Sequence, residues 1–355
     1  MDSSTNEITH EFPLRFRVYK DGRVERLGRF AVPDPAPTGL DPKTHVQTKD
    51  VVVSSESGVS ARLFLPKNSH PDHKLPLVVH YHGGAFCLGS PFDRAFHNFL
   101  QLLAAEANAF VISVDYRLAP EHPLPTAHQD SWAALQWIAT HSNGQGPDPW
   151  LSEYADFGRV FLAGESAGAN IAHYVAVQAG ATELVGPNIV GLLLLHPGFG
   201  GKELNKMYSF ICPTSTGFSD PILYPKMDPN LSRMAGAKVL VCVAEKDSSK
   251  DVAVARVFLA PRETRKELGT DAKDGGAIAE GGSVRRWFHH LFAMLSAPRV
   301  NRLAKGRAVA TVSHPKSQGP RNPSIHGPPL GSSVLFLVSG DDQVALGGRN
   351  GGGRI

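Results

Sequence analysis

The stretch FLAGESAGANIAH, Phe161 to His173, decides how this chain is read. An apolar run, RVFLA, stops at Gly164, a serine at 166 stands between two glycines, and small residues follow it. This is the G-x-S-x-G pattern of a sharp turn from strand to helix, which lifts a serine hydroxyl above the edge of a sheet. In a chain with 35 glycines the bare pattern is weak. Its setting gives it weight, because the serine follows a strand and opens a helix, where such a turn presents a nucleophile. The competing reading is a glycine turn whose serine only caps the helix.

Outward from this turn, apolar runs alternate with helical stretches. The runs are LPLVVHYH (75–82), AFVISVDY (109–116), RVFLAGE (159–165), IVGLLLLHP (189–197) and AKVLVCVAEKD (237–247), with helices expected near 94–107, near 127–141 and from Ala167. Strand, helix, strand at this spacing predicts an α/β fold with a mostly parallel sheet, since near-continuous Val and Leu runs need burial on both faces. Upstream, TKDVVVSSESGVSARLFLP (48–66) reads as two strands around a turn at Ser57 and Gly58. After about Asp251 the chain is rich in Gly, Pro and Arg, a composition with few apolar residues to offset chain entropy. A helix at 284–295 and a strand at 333–340 are the elements that this region still allows.

Bulk properties narrow the function classes. A net charge of +3 over 355 residues falls short of a nucleic-acid footprint. Cys87, Cys212 and Cys242 are an odd number without metal-ligand spacing, which argues against a disulfide framework and for a reducing compartment. The start, MDSSTNEITHEF, has neither the basic nor the apolar region of a secretory signal, and no run approaches a membrane span. A cytoplasmic protein that binds neither membrane nor nucleic acid is expected, with its oligomeric state left open.

Two further segments bear on chemistry. HYHGGAF (80–86) follows a strand about 80 residues before the serine. Acyl transfer builds negative charge on a carbonyl oxygen, and backbone N–H groups of a glycine-rich loop stabilise it. Gly84 and Ala85, with Ala167 after the serine, are the expected donors, and Gly83 gives the backbone room to turn. DYRLAPEHPLP (115–125) reads as scaffold, with an ion pair expected between Arg117 and Glu121 across a proline-stiffened loop.

HGGAF, DYRLAPEHPLP and GESAGANIAH, in this order and at these separations, resemble the plant carboxylesterase branch of the hormone-sensitive lipase-like α/β hydrolases. The likeness runs from about Glu11 to Lys250 and includes EFPLRFRVYKDGRVERL and CVAEKD. It implies an α/β-hydrolase core over 46–250, a cap from residues 1–45 with a contribution near 200–235, and a divergent, poorly ordered tail over 251–355. It also implies hydrolysis of small carboxylic esters without a cofactor, with Ser166 as nucleophile and Asp247 as the acidic triad member. Asp247 ends an apolar run, which suits a carboxylate at the carboxyl edge of a sheet. The same scaffold resembles the gibberellin receptor, which binds a small molecule without catalysis, and the hydroxyisoflavanone dehydratases. The receptor has a serine-containing variant of HGGAF, and the dehydratases often have threonine at the nucleophile position, so Gly84-Ala85 and Ser166 favour the esterase.

The triad order requires a histidine downstream of Asp247, about 30 residues on in the family pattern. None stands there. His289, His290, His314 and His326 come later, in sequence without a convincing strand to hold them. The resemblance therefore stops at Ser248, and the last strand, its histidine and the closing helix of the core are expected to be missing. That loss would leave the strand before it with an open edge unless the tail substitutes.

Overall fold

The computed structural model describes residues 6–28, 32–67, 69–200, 206–236, 238–244, 306–312 and 334–340, the last two stretches as backbone. A small antiparallel sheet comes first, from β1 (Ile8–Phe12), β2 (Phe16–Tyr19) and β3 (Val24–Arg26). The chain continues through β4 (Gly39–Leu40), β5 (Gln47–Ser54), β6 (Val59–Leu65), β7 (Leu75–Tyr81), helix α1 (Arg94–Ala107) and β8 (Phe110–Asp115). Then come α2 (Thr126–Ala139), α3 (Pro149–Tyr154), β9 (Ala155–Glu165), α4 (Ala167–Ala181) and β10 (Ile189–Leu195). The last elements are α5 (Lys206–Ile211), β11 (Lys238–Ala244), β12 (Gly306–Val312) and β13 (Val334–Gly340).

The main sheet runs in the order β12-β13-β11-β10-β9-β7-β8-β6-β5-β4. Its centre, from β8 to β11, is parallel, and antiparallel strands flank it on both sides. Burial explains the choice of strand. All seven residues of β7 are buried, which only a strand covered on both faces tolerates. Leu77 and Val79 join α2 and α4 through Leu135, Ile138, Ile171 and Val175. On the other face Val78 meets α1 through Leu100, Leu103 and Ala104.

At the far edge a segment of the tail substitutes. β11 is not left open: β13 pairs with it antiparallel from Val239↔Ser339 to Ala244↔Val334, and β12 pairs with β13. The expected strand at 333–340 fills that place, in the opposite direction to a parallel continuation. The small N-terminal sheet meets α5 through aromatic rings, with Phe210 4.5 Å from His10, 5.3 Å from Phe12 and 6.1 Å from Phe16 between centroids.

The core also holds buried histidines. Burial pushes His80 down to about 3 and His82, His128 and His173 down to about 4, so all four are neutral at pH 7. Their ordinary value is near 6.5. As pH falls below that, the unfolded chain takes up these protons first, and each costs stability at about 1.4 kcal/mol per pH unit until the folded value is reached. Asp115 works the other way, since burial pushes its carboxyl up to about 6 and the folded state gains its proton first. His97, pushed down to about 4, and His141, also pushed down by burial, side with the four histidines, while Asp93, pushed up by burial, sides with Asp115, so the histidines prevail. The melting temperature, followed by circular dichroism, is expected to fall continuously from pH 6.5 to 4.5, and a flat or rising profile would refute this balance.

Candidate active site

The site forms where the chain reverses its direction of travel across the sheet. β7 lies between β8 and β9, so successive connections leave its carboxyl edge to opposite sides and open a crevice there. The β7–β9 register pairs Tyr81 with Gly164. The next residues on each strand, His82-Gly83-Gly84-Ala85 and Glu165-Ser166-Ala167, therefore start from the same level. They touch, because a Cβ added to Gly83 would stand 2.9 Å from Glu165 Cγ.

Ser166 sits at φ 51° and ψ −114°, a conformation that a non-glycine residue keeps only when its surroundings enforce it. Here they do. Its N–H donates to Leu195 O at 2.8 Å, and its carbonyl accepts from Gly198 N at 2.9 Å and Asn170 N at 3.2 Å. The flanking glycines are demanded by close approach. A Cβ on Gly164 would lie 2.3 Å from the Gly168 backbone, and one on Gly168 would lie 1.9 Å from Tyr81 O. The Ser166 side chain makes no capping bond to α4, so the capping reading of the sequence does not hold. Ala167, 2% exposed, is the first residue of that helix.

The loop after β7 is equally constrained. Gly84 has φ 119°, and a Cβ there would lie 2.0 Å from Leu88 O. Ala85 and Phe86 follow at φ 56° and 65°. His82 anchors the loop from below. Its Nδ1 donates to Gly83 O at 2.8 Å, and its ring stacks on Tyr116 with centroids 4.3 Å apart and planes 7° from parallel. The Tyr116 hydroxyl donates to His82 O at 2.6 Å. Buried and neutral, His82 is a fixture of the backbone.

The ion pairing of the 115–125 segment differs from expectation. Arg117 does not pair with Glu121. Its guanidinium holds Asp130 on α2 through contacts of 2.9 and 2.7 Å, and its N–H holds the same carboxylate at 3.0 Å. Glu121 instead receives Arg26 from β3 at 2.6 and 2.8 Å. Both partners lie in other elements, beyond the reach of a reading of the local turn. Asn170 was likewise missed: its Oδ1 accepts from His128 Nε2 at 2.9 Å, and its Nδ2 donates to Gly198 O and Ile222 O at 3.1 and 2.7 Å. The polar residue in a helix of small ones, GESAGAN, was the available signal.

A cavity of about 420 Å³ lies against Ala85, walled by the turn from Phe12 to Arg15 and by Lys206 and Met207. The structure thus sets Gly83 against Glu165, the residue before Ser166 and Ala167, with Gly84 and Ala85 next along the same loop. Asp247 lies outside the described residues, as do His289, His290, His314 and His326. Among the described residues no group of His, Cys, Asp or Glu is arranged to hold a metal ion, and no helix is long and apolar enough to cross a membrane.

Comparison with known proteins agrees with this architecture. Residues 78–258 match the family model described as alpha/beta hydrolase fold. A 2-hydroxyisoflavanone dehydratase from Glycyrrhiza echinata is 43% identical over 272 residues, covering 70% of this chain and 82% of the relative. Probable carboxylesterase 3 of Arabidopsis thaliana is also 43% identical, over 265 residues, covering 68% and 81%. Among solved structures an arylesterase superposes with a TM-score of 0.51 at 23% identity, over 65% of this chain and 73% of its own, a likeness of fold. The chain therefore belongs to the alpha/beta hydrolase fold family, among the plant carboxylesterases of its hormone-sensitive lipase-like branch.

Proposed function

We propose that this chain hydrolyses small carboxylic esters by covalent catalysis from Ser166. The observation that carries the reading is the β7–β9 register, which sets a serine on a strained turn beside a loop of backbone N–H groups. Ser166 Oγ bonds to the ester carbonyl carbon as its proton passes to a base, and the carbonyl electron pair moves onto oxygen. The N–H groups of Gly84, Ala85 and Ala167 receive that charge, and Gly83 keeps the loop close to Glu165. Collapse of the tetrahedral species expels the alcohol, which takes the proton, and water then releases the acid by the same steps in reverse roles.

Asp247 is the acidic member that would orient the base. No described residue is assigned as that base, and the sequence lacks a histidine where the family pattern has one. Slow turnover follows: without a positioned base, only the oxyanion donors and binding remain, roughly 10³–10⁴-fold above the uncatalysed reaction. A dehydratase relative and a carboxylesterase relative stand at the same identity, so elimination of water from a 2-hydroxyisoflavanone is the competing reaction. Ser166 favours hydrolysis.

Reaction with a fluorophosphonate probe is expected to label the wild type and not Ser166→Ala. Equal labelling of both would remove Ser166 from the site, and turnover of a 2-hydroxyisoflavanone that survives in Ser166→Ala would favour the lyase. Steady-state rates in His289→Ala and His290→Ala are expected to match the wild type, and a collapse in either would identify the base.

The substrates are soluble esters and not lipid aggregates. The sequence has no obvious interfacial amphipathic segment with which to bind a lipid surface. 4-Nitrophenyl butyrate is expected to be turned over at least about tenfold faster than emulsified trioctanoylglycerol at equal ester concentration. Comparable rates would contradict this preference.

A further inference from the structure

We infer that Arg26, on the small N-terminal sheet, is a positioning residue for the loop that carries the oxyanion donors. The inference rests on the reading of Gly84 and Ala85 as those donors. Arg26 reaches two other segments at once. Its Nε donates to Cys87 O at 3.0 Å, inside the loop; Nη2 donates to Ala119 O at 3.4 Å; and Nη1 and Nη2 hold the two oxygens of Glu121 at 2.6 and 2.8 Å. The Arg26 side chain is 23% exposed, more enclosed than most surface pairs, whose isolated ion pairs contribute little. Burial pushes the Glu121 carboxyl up, but the hydrogen bond and charge of Arg26, with a backbone N–H and the charge of His122, together hold the group below the usual carboxylate range.

The loop needs such a tie. Ala85 and Phe86 both have positive φ, and residues in that region persist only where surrounding contacts over-determine them. Inside the loop, Cys87 N and Leu88 N donate to Gly84 O at 3.0 and 2.9 Å. From outside, Ala119 N donates to Phe86 O at 2.9 Å, and Arg26 binds the next carbonyl. The same guanidinium fixes Ala119 and Glu121, so it braces the loop directly and also through the segment that supports it. A planar fork with five donors spans these acceptors, whereas a lysine ammonium is a single point. The arrangement also makes the order of the oxyanion loop depend on the N-terminal sheet, whose turn walls the adjacent cavity.

If Arg26 acts this way, its loss weakens an interaction made mainly in the transition state, so kcat falls while KM stays nearly constant. Direct removal of one oxyanion donor costs about 10²–10³-fold in rate, and a loosened loop is expected to cost about tenfold. The test uses the full chain with Arg26→Ala, Arg26→Lys and Glu121→Gln. Three quantities are measured: kcat and KM on 4-nitrophenyl butyrate, the rate of Ser166 labelling by a fluorophosphonate, and amide hydrogen exchange across residues 83–88. Arg26→Ala is expected to lower kcat and the labelling rate about tenfold with KM within about twofold, and to speed exchange in 83–88 while α4 stays protected. Arg26→Lys should recover little of this, and Glu121→Gln should give a smaller effect of the same kind. Should Arg26→Ala not fold, Arg26→Lys against wild type carries the same readouts. Unchanged exchange in 83–88 overturns the inference whatever the turnover, as does a raised KM at constant kcat. A wild type that resists labelling counts instead against Ser166 as nucleophile, and the exchange comparison still decides the role of Arg26.

Discussion

The parallel pairing of β7 with β9 is the constraint on which the site depends. Two strands that leave the sheet side by side, at Tyr81 and Gly164, place a glycine loop against a serine turn. The alignment tolerates no slip. A shift by one residue would exchange the two faces of β7, sending Leu77 and Val79 toward α1 and Val78 toward α4, and would remove the notch at Gly168 that accommodates Tyr81 O. Hydrophobic burial on both faces and the absence of side chains at the crossing act together, so the packing of the core and the geometry of the site are one requirement.

Around that alignment the protein uses neutral, buried polar groups as fixtures. His82 and Tyr116 fix the loop after β7, and Asn170 with His128 ties α4 to the segments at Gly198 and Ile222. Because burial keeps these imidazoles uncharged at neutral pH, they hold geometry without placing charge near Ser166. Preorganised donors in a water-poor setting are worth more than the same donors in water, provided nothing has to reorganise as charge develops. The strain at Ser166, Ala85 and Phe86 is maintained by these fixtures.

Ion pairs act one level further out. Arg117 with Asp130 joins the segment after β8 to α2, and Arg26 with Glu121 joins that segment to the N-terminal sheet. Together they replace the one pairing that local sequence suggests, Arg117 with Glu121. Arg117 and Glu121 are four residues apart, but the turn between them directs their side chains to different neighbours.

The sequence by itself determined the elements of the parallel core and the identity of the two loops. Apolar runs bounded by turn residues marked β7 to β11, and the glycines around Ser166 announced a turn with no space for side chains, because burial and steric exclusion are written locally in residue type. The residues of 94–107 emerged as a helix over those same positions for the same reason. Tertiary structure alone decided which distant groups meet. Arg26 and Glu121 stand 95 positions apart, and their contact exists only because β3 is folded over the loop after β7. The direction of the strand beside β11 was also beyond the sequence, since the apolar run at 334–340 satisfies either orientation and only its pairing shows the antiparallel one.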